Sequence, residues 1–153
     1  MRVFANMHKS TTPSAGARID LFGLILLYLR MTTSYGIDIV EVERIRNICA
    51  RRRSRLKKLF TPTEIKYCLS KKTPYPHFAS RFAAKEAFLK AVSSGWQGTL
   101  NWTDMEVSKD RFGKPSINVL PGKKLAFLKK IKHISLTISQ DKNYAVAMVA
   151  IRG

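Results

Sequence analysis

The chain has 153 residues, 45% of them hydrophobic, which suits one ordinary globular domain. Lys and Arg number 28 against ten Asp and Glu, and the net charge of +18 favours polyanionic partners while leaving few carboxylates for any metal. Two cysteines, Cys49 and Cys68, exclude a disulfide framework and a zinc-ligand spacing, and fit reduced thiols in a cytoplasmic protein.

Residues 19–29 are mostly apolar and flanked by Arg18 and Arg30. The run is too short to span a bilayer, Asp20 interrupts it, and no small-residue cleavage site follows. Met31 comes next, just before the first clean strand pattern. We expect residues 1–31 to be an extension outside the fold, as from an upstream start assignment, and residues 32–153 to form the domain.

Tyr35 to Val40 is short, β-branched and apolar, with Asp38 inside it, and reads as a buried strand ending near that aspartate. A helix is expected over Val42–Lys58, with Ile45, Ile48, Cys49, Leu56 and Leu59 inward and an Arg- and Lys-rich outer face that includes Arg44. Thr61-Pro62-Thr63-Glu64 is a capping box for a helix reaching about Ser70. Lys71 to Pro76 reads as a loop. Phe78 to Ala91, rich in Ala, Leu and Lys, reads as a helix. On it Phe78, Phe82 and Leu89 form an apolar stripe with Glu86 at its edge. Glu86 and Lys90 are one turn apart, as are Arg81 and Lys85.

After a stop at Ser93-Ser94-Gly95, Met105–Ser108 and Ser116–Val119 alternate as strands around the turn Asp110–Pro115. A basic helix is expected over Gly122–Lys132. Ser135–Ser139 and Tyr144–Ile151 read as strands joined by the loop Gln140–Asn143. No internal repeat is present. The sum is an α+β fold, a single domain with helices, mostly in the first half, packed on an antiparallel β-sheet, mostly in the second.

A hard cation such as Mg²⁺ takes carboxylate oxygens and keeps water and phosphate oxygens around it. Glu86 is the one acid of its helix, and Asp38 is its natural partner, because an unpaired charge in an apolar strand is costly to bury. Arg81, Lys90 and Lys114 could then neutralise phosphates. Ordinary roles stay open: a surface Glu86–Lys90 pair, a helix cap for Asp38, solvated faces for the cations. His133 reads as a strand-end residue rather than a base. Trp96 and Trp102 read as packing residues before cofactor-rim residues. No nucleophile elbow, Walker loop or dinucleotide fingerprint occurs.

Three blocks in order resemble the holo-acyl-carrier-protein synthase group of 4′-phosphopantetheinyl transferases. They are Gly36-Ile37-Asp38-Ile39-Val40-Glu41-Val42-Glu43-Arg44-Ile45, then Arg81-Phe82-Ala83-Ala84-Lys85-Glu86-Ala87 through Lys90-Ala91, then Gly113-Lys114-Pro115 with Tyr144–Val149. The resemblance covers about Tyr35 to Ile151. It implies that family's fold and its reaction, Mg²⁺-dependent transfer of 4′-phosphopantetheine from coenzyme A to a serine of apo acyl carrier protein, releasing adenosine 3′,5′-bisphosphate. It implies Mg²⁺ on Asp38 and Glu86, Lys90 beside the reacting phosphate, and Arg44 docking the acidic carrier protein. Arg81, Lys85, Lys90, Lys114 and Pro115 are the candidate coenzyme A contacts, with packing left open for Arg81 and Lys85. Glu86, acting through a metal-bound water, is the first candidate for the base. The group forms homotrimers with active sites between subunits, and its carriers include those of fatty-acid biosynthesis. Gln140 and Ser135 stand where many members have histidine, and no catalytic role is assigned to either. A basic nucleic-acid-binding module without catalysis is the alternative, weakened because no aromatics interleave with the basic run. We therefore expect neither nucleic acid nor a membrane among the partners.

Overall fold

The computed structural model describes residues 33–51, 53–93, 100–121 and 131–153, all within one compact unit spanning 32–153. The expected extension, Trp96, the turn at Ser94-Gly95 and the basic helix lie outside these residues. Ile131 and Lys132 are described, and they lead into a strand rather than closing a helix.

Strand β1 (Thr33–Glu41) runs straight into helix α1 (Val42–Arg51), followed by α2 (Arg53–Leu59), α3 (Pro62–Leu69) and α4 (Pro74–Ser93). A 3₁₀ turn (Trp102–Asp104) then leads into β2 (Met105–Lys109), β3 (Pro115–Val119), β4 (His133–Gln140) and β5 (Tyr144–Arg152). The helix expected over Val42–Lys58 is thus described as two segments. Helix α4 starts at Pro74, where a loop was expected: proline has its backbone N–H missing and φ preset, so it suits a first helical position. The capping box forms as expected. Thr61 Oγ1 accepts from the Glu64 N–H at 3.2 Å, and Glu64 Oε2 accepts from the Thr61 N–H at 2.8 Å.

Among the described residues the antiparallel pairing divides into β1-β5-β4 and the hairpin β2-β3. Strand β1 pairs with β5 from Thr33↔Arg152 to Glu41↔Tyr144, across nearly the whole domain. Its inward face carries Gly36, Asp38 and Val40, while Tyr35, Ile37 and Ile39 point outward and are exposed. Helix α4 packs on the inward face. Gly36 permits that close approach, since a Cβ there would lie 1.9 Å from the Ala87 carbonyl oxygen. Ala145 and Ala147 of β5 and Ala83, Ala84, Ala87 and Ala91 of α4 are all buried, so small side chains set the helix tightly on the sheet. The expected single apolar stripe of α4 becomes burial nearly all round from Phe78 to Phe88, with Glu86 the exception. Among the described residues no helix is long and apolar enough to cross a membrane.

Candidate active site

The tight seating of β1 on α4 decides where the charged side chains meet. Gly36 touches the backbone at Ala87 and Ala91, so Asp38, two residues along the same face, falls beside Lys90. Lys90 Nζ donates to Asp38 Oδ1 at 2.7 Å and to the Ile37 carbonyl oxygen at 3.0 Å. The Asp38 side chain is only 16% exposed, against 53% for Lys90. The cation therefore stands at the mouth of the site and the carboxylate inside it. Glu86 lies one turn before Lys90 and is half-buried. Its Oε1 accepts a hydrogen bond from Trp102 Nε1 at 2.5 Å. Sequence reasoning weighed Trp102 as packing first; it does stack on Phe82, with ring centroids 6.1 Å apart, but its polar edge belongs to this site. The only sequence signal was its place just before β2.

Two expectations change. Lys85 is no phosphate contact: it is 0% exposed, and its ammonium donates to Glu64 Oε2 at 2.6 Å and to the Leu59 carbonyl oxygen at 2.9 Å. Burial lowers its pKa, and Glu64 opposes that shift. Arg81 does not share the Lys90 site either. Nine residues earlier on α4, it is about 13 Å away along the axis. It is 2% exposed, its guanidinium lies 4.0 Å from the Tyr67 ring centroid, and it donates to the His77 carbonyl oxygen at 3.2 Å. His77 Nδ1 lies 3.2 Å from Gln140 Nε2, so an imidazole stands beside the glutamine after all, contributed by α4. Burial first, then the charge of Arg81, holds its pKa below the ordinary histidine value.

The remaining candidates sit on other surfaces. Lys114 and Pro115 follow Gly113, whose φ of 83° makes the turn, and border a groove with Asp110, His133 and Ser135. Asp110 Oδ1 pins that turn by accepting the N–H groups of Phe112 and Lys114 at 2.8 and 2.9 Å. Arg44 is exposed on α1 and lines a shallow groove with Glu41, Glu43, Asn47, Ile48 and Arg55. On the same helix Arg46 pairs with Glu43 at 3.1 Å and lies over the Tyr75 ring at 5.1 Å. The cysteines are free, and burial pushes Cys49 up to about 11 and Cys68 to about 12, so neither is a ready nucleophile.

Among the described residues no three His, Cys, Asp or Glu side chains gather as a metal cage. A cation here would rest on the two carboxylates and complete its shell with water and ligand oxygens, the donor set that suits Mg²⁺.

Residues 34–149 match the 4′-phosphopantetheinyl transferase superfamily. Holo-[acyl-carrier-protein] synthase of Geotalea daltonii is 44% identical over 119 residues, covering 76% of this chain and 94% of that protein. The chain belongs to the holo-acyl-carrier-protein synthase family of 4′-phosphopantetheinyl transferases. The synthase of Geobacter sulfurreducens is 43% identical over 119 residues, with 76% and 94% covered. Among solved structures, the synthase of Neisseria meningitidis aligns with a TM-score of 0.70 at 30% identity, covering 78% of this chain and 98% of that one. The Helicobacter pylori synthase, solved in complex with coenzyme A, gives 0.65 at 32% identity, with 76% and 98% covered. Family membership decides between the two functional readings in favour of the phosphopantetheinyl transferase, and the α+β fold is that of the holo-acyl-carrier-protein synthases.

Proposed function

We propose that this chain transfers 4′-phosphopantetheine from coenzyme A to a serine of an acidic apo acyl carrier protein, with Asp38, Glu86 and Lys90 as its chemical centre. The observation that carries this reading is the contact of Lys90 with Asp38, one turn from Glu86, at the seam of β1 and α4. Mg²⁺ on Asp38 and Glu86 would neutralise the pyrophosphate of coenzyme A. The serine Oγ bonds to the phosphorus that carries pantetheine, and the bond from that phosphorus to the bridging oxygen breaks, releasing adenosine 3′,5′-bisphosphate. Lys90 stabilises the negative charge left on that oxygen, which suits a reaction that depends on positioning and charge more than on covalent help. Glu86, the carboxylate one turn from Lys90, takes the serine proton.

A homotrimer with shared sites has support in two features. Tyr35, Ile37, Ile39, Tyr144, Val146 and Met148 form cross-strand neighbours on the outward face of the β1-β5-β4 sheet, and are between 37% and 66% exposed. A contiguous apolar sheet face of this kind calls for a covering partner, and we read that partner as a second copy of this chain. In addition, Lys114 and Pro115 border their own groove in the chain, as contacts presented to a neighbouring subunit's coenzyme A would. Arg44 is positioned to steer the carrier in by charge.

The test is incubation with apo carrier protein, coenzyme A and Mg²⁺, followed by mass spectrometry of the carrier. A gain of one phosphopantetheine is expected, and Asp38→Ala and Glu86→Ala should each abolish it with the fold intact. Full activity in both variants would end the metal assignment. Arg44→Glu should raise KM for the carrier more than KM for coenzyme A; equal effects would remove its docking role.

A further inference from the structure

We propose that Trp102 is a positioning residue for Glu86. The argument rests on the reading of Glu86 as a metal-holding carboxylate. A free glutamate on a helix samples several rotamers, and ordering it costs entropy when a cation binds. Here the ordering is built in. The indole N–H, a donor with no acceptor capacity, is bonded to Oε1. A carboxylate held at one oxygen loses most of its freedom to rotate and keeps its lone pairs aimed.

The indole is itself fixed from two sides. Its ring stacks on Phe82, which is one turn before Glu86 on α4 and 9% exposed. Its backbone belongs to a 3₁₀ turn pinned by Asp104 Oδ2, which accepts the Asn101 N–H at 2.8 Å. Helix α4 thus supplies both the ring that Trp102 lies on and the carboxylate it holds. Outer partners of this kind orient metal-holding side chains, and losing one typically lowers metal affinity or activity about 10- to 100-fold.

Trp102→Phe keeps an aromatic ring for the stack on Phe82 and removes the N–H together with the pyrrole part of the indole. Calorimetric titration of Mg²⁺, with coenzyme A present and carrier absent so that no turnover occurs, reads the effect directly. Trp102→Phe is expected to weaken Mg²⁺ about 10-fold with Tm unchanged, and its lost transfer rate should return at high Mg²⁺. Glu86→Ala is measured alongside. Wild-type Mg²⁺ affinity in Trp102→Phe, with affinity lost in Glu86→Ala, would overturn the role of Trp102 alone. Unchanged affinity in Glu86→Ala would overturn the metal reading beneath it. Should Trp102→Phe fail to fold, Trp102 emission in a Trp96→Phe background takes its place. Glu86→Ala should shift that emission, and an unchanged spectrum would overturn the proposal.

Discussion

Lys85 and Lys90 stand five residues apart on the same helix and each pairs with a carboxylate from another element, yet the two pairs do different work. Lys85–Glu64 is fully buried, and both Glu64 oxygens accept hydrogen bonds. Glu64 Oε2 also accepts the Thr61 N–H, its Oε1 accepts the Val107 N–H at 2.9 Å, and Thr61 Oγ1 donates to Glu106 at 2.7 Å. That network locks α3, α4 and β2 together and leaves no oxygen for a ligand. Lys90–Asp38 lies at the surface, with a cation that water reaches and a carboxylate that is mostly shielded. On the proposed function, a metal ion would compete for Asp38 and a phosphate for Lys90. Burial thus separates a sealed ion pair from a solvent-reached one where residue type alone does not.

Breaking each pair should separate these roles. The largest effect is expected for Lys85→Met, which leaves Glu64 charged and short of a partner in the core. Urea unfolding should show a loss of about 3–5 kcal/mol, and a loss under 1 kcal/mol would remove the distinction. Lys90→Ala should lower kcat for transfer about 100- to 1000-fold. Its stability should change by less than about 1 kcal/mol, as for other solvent-reached pairs; a large loss of stability would make Lys90 a second Lys85. The smallest effect belongs to a fully exposed carboxylate. Asp141 Oδ1 accepts the N–H groups of Asn143 and Tyr144, both at 2.7 Å, and these bonds hold its pKa below the ordinary 3.8. A depressed aspartate stabilises the fold above its unfolded pKa, and that contribution is lost as pH falls through the lower folded value. Asp141→Ala should therefore lower Tm slightly at neutral pH, with the difference from wild type vanishing in acid. A gap that persists at low pH would point to lost packing instead.

Much of the candidate site is legible in the sequence because its residues are tied to local patterns. The acid inside the first strand, the lone acid on an Ala-rich helix and the lysine one turn on needed only strand alternation and helical spacing to be noticed. Trp102 was not ranked with them, because an indole N–H shows its use only when an acceptor from a distant helix lies opposite. Lys85, for which packing stayed open, shows the converse. A lysine next to a candidate metal-holding acid looks like a phosphate contact until Glu64, 21 residues away, is seen to claim it.

By itself the sequence determined most of the described element types, the capping box at Thr61, the turn at Gly113 and the identity of Asp38, Glu86 and Lys90 as candidates. These depend on neighbours within a few residues, where backbone geometry leaves few choices. Only the tertiary structure decided that β1 pairs with β5 and not with a sequence neighbour, and that Gly36 lets α4 sit close enough for Lys90 to reach Asp38. It also decided which lysine is sealed in the core and which faces solvent. Those outcomes depend on contacts between residues far apart in the chain, and burial, which sets what a charge can do, exists only once they form.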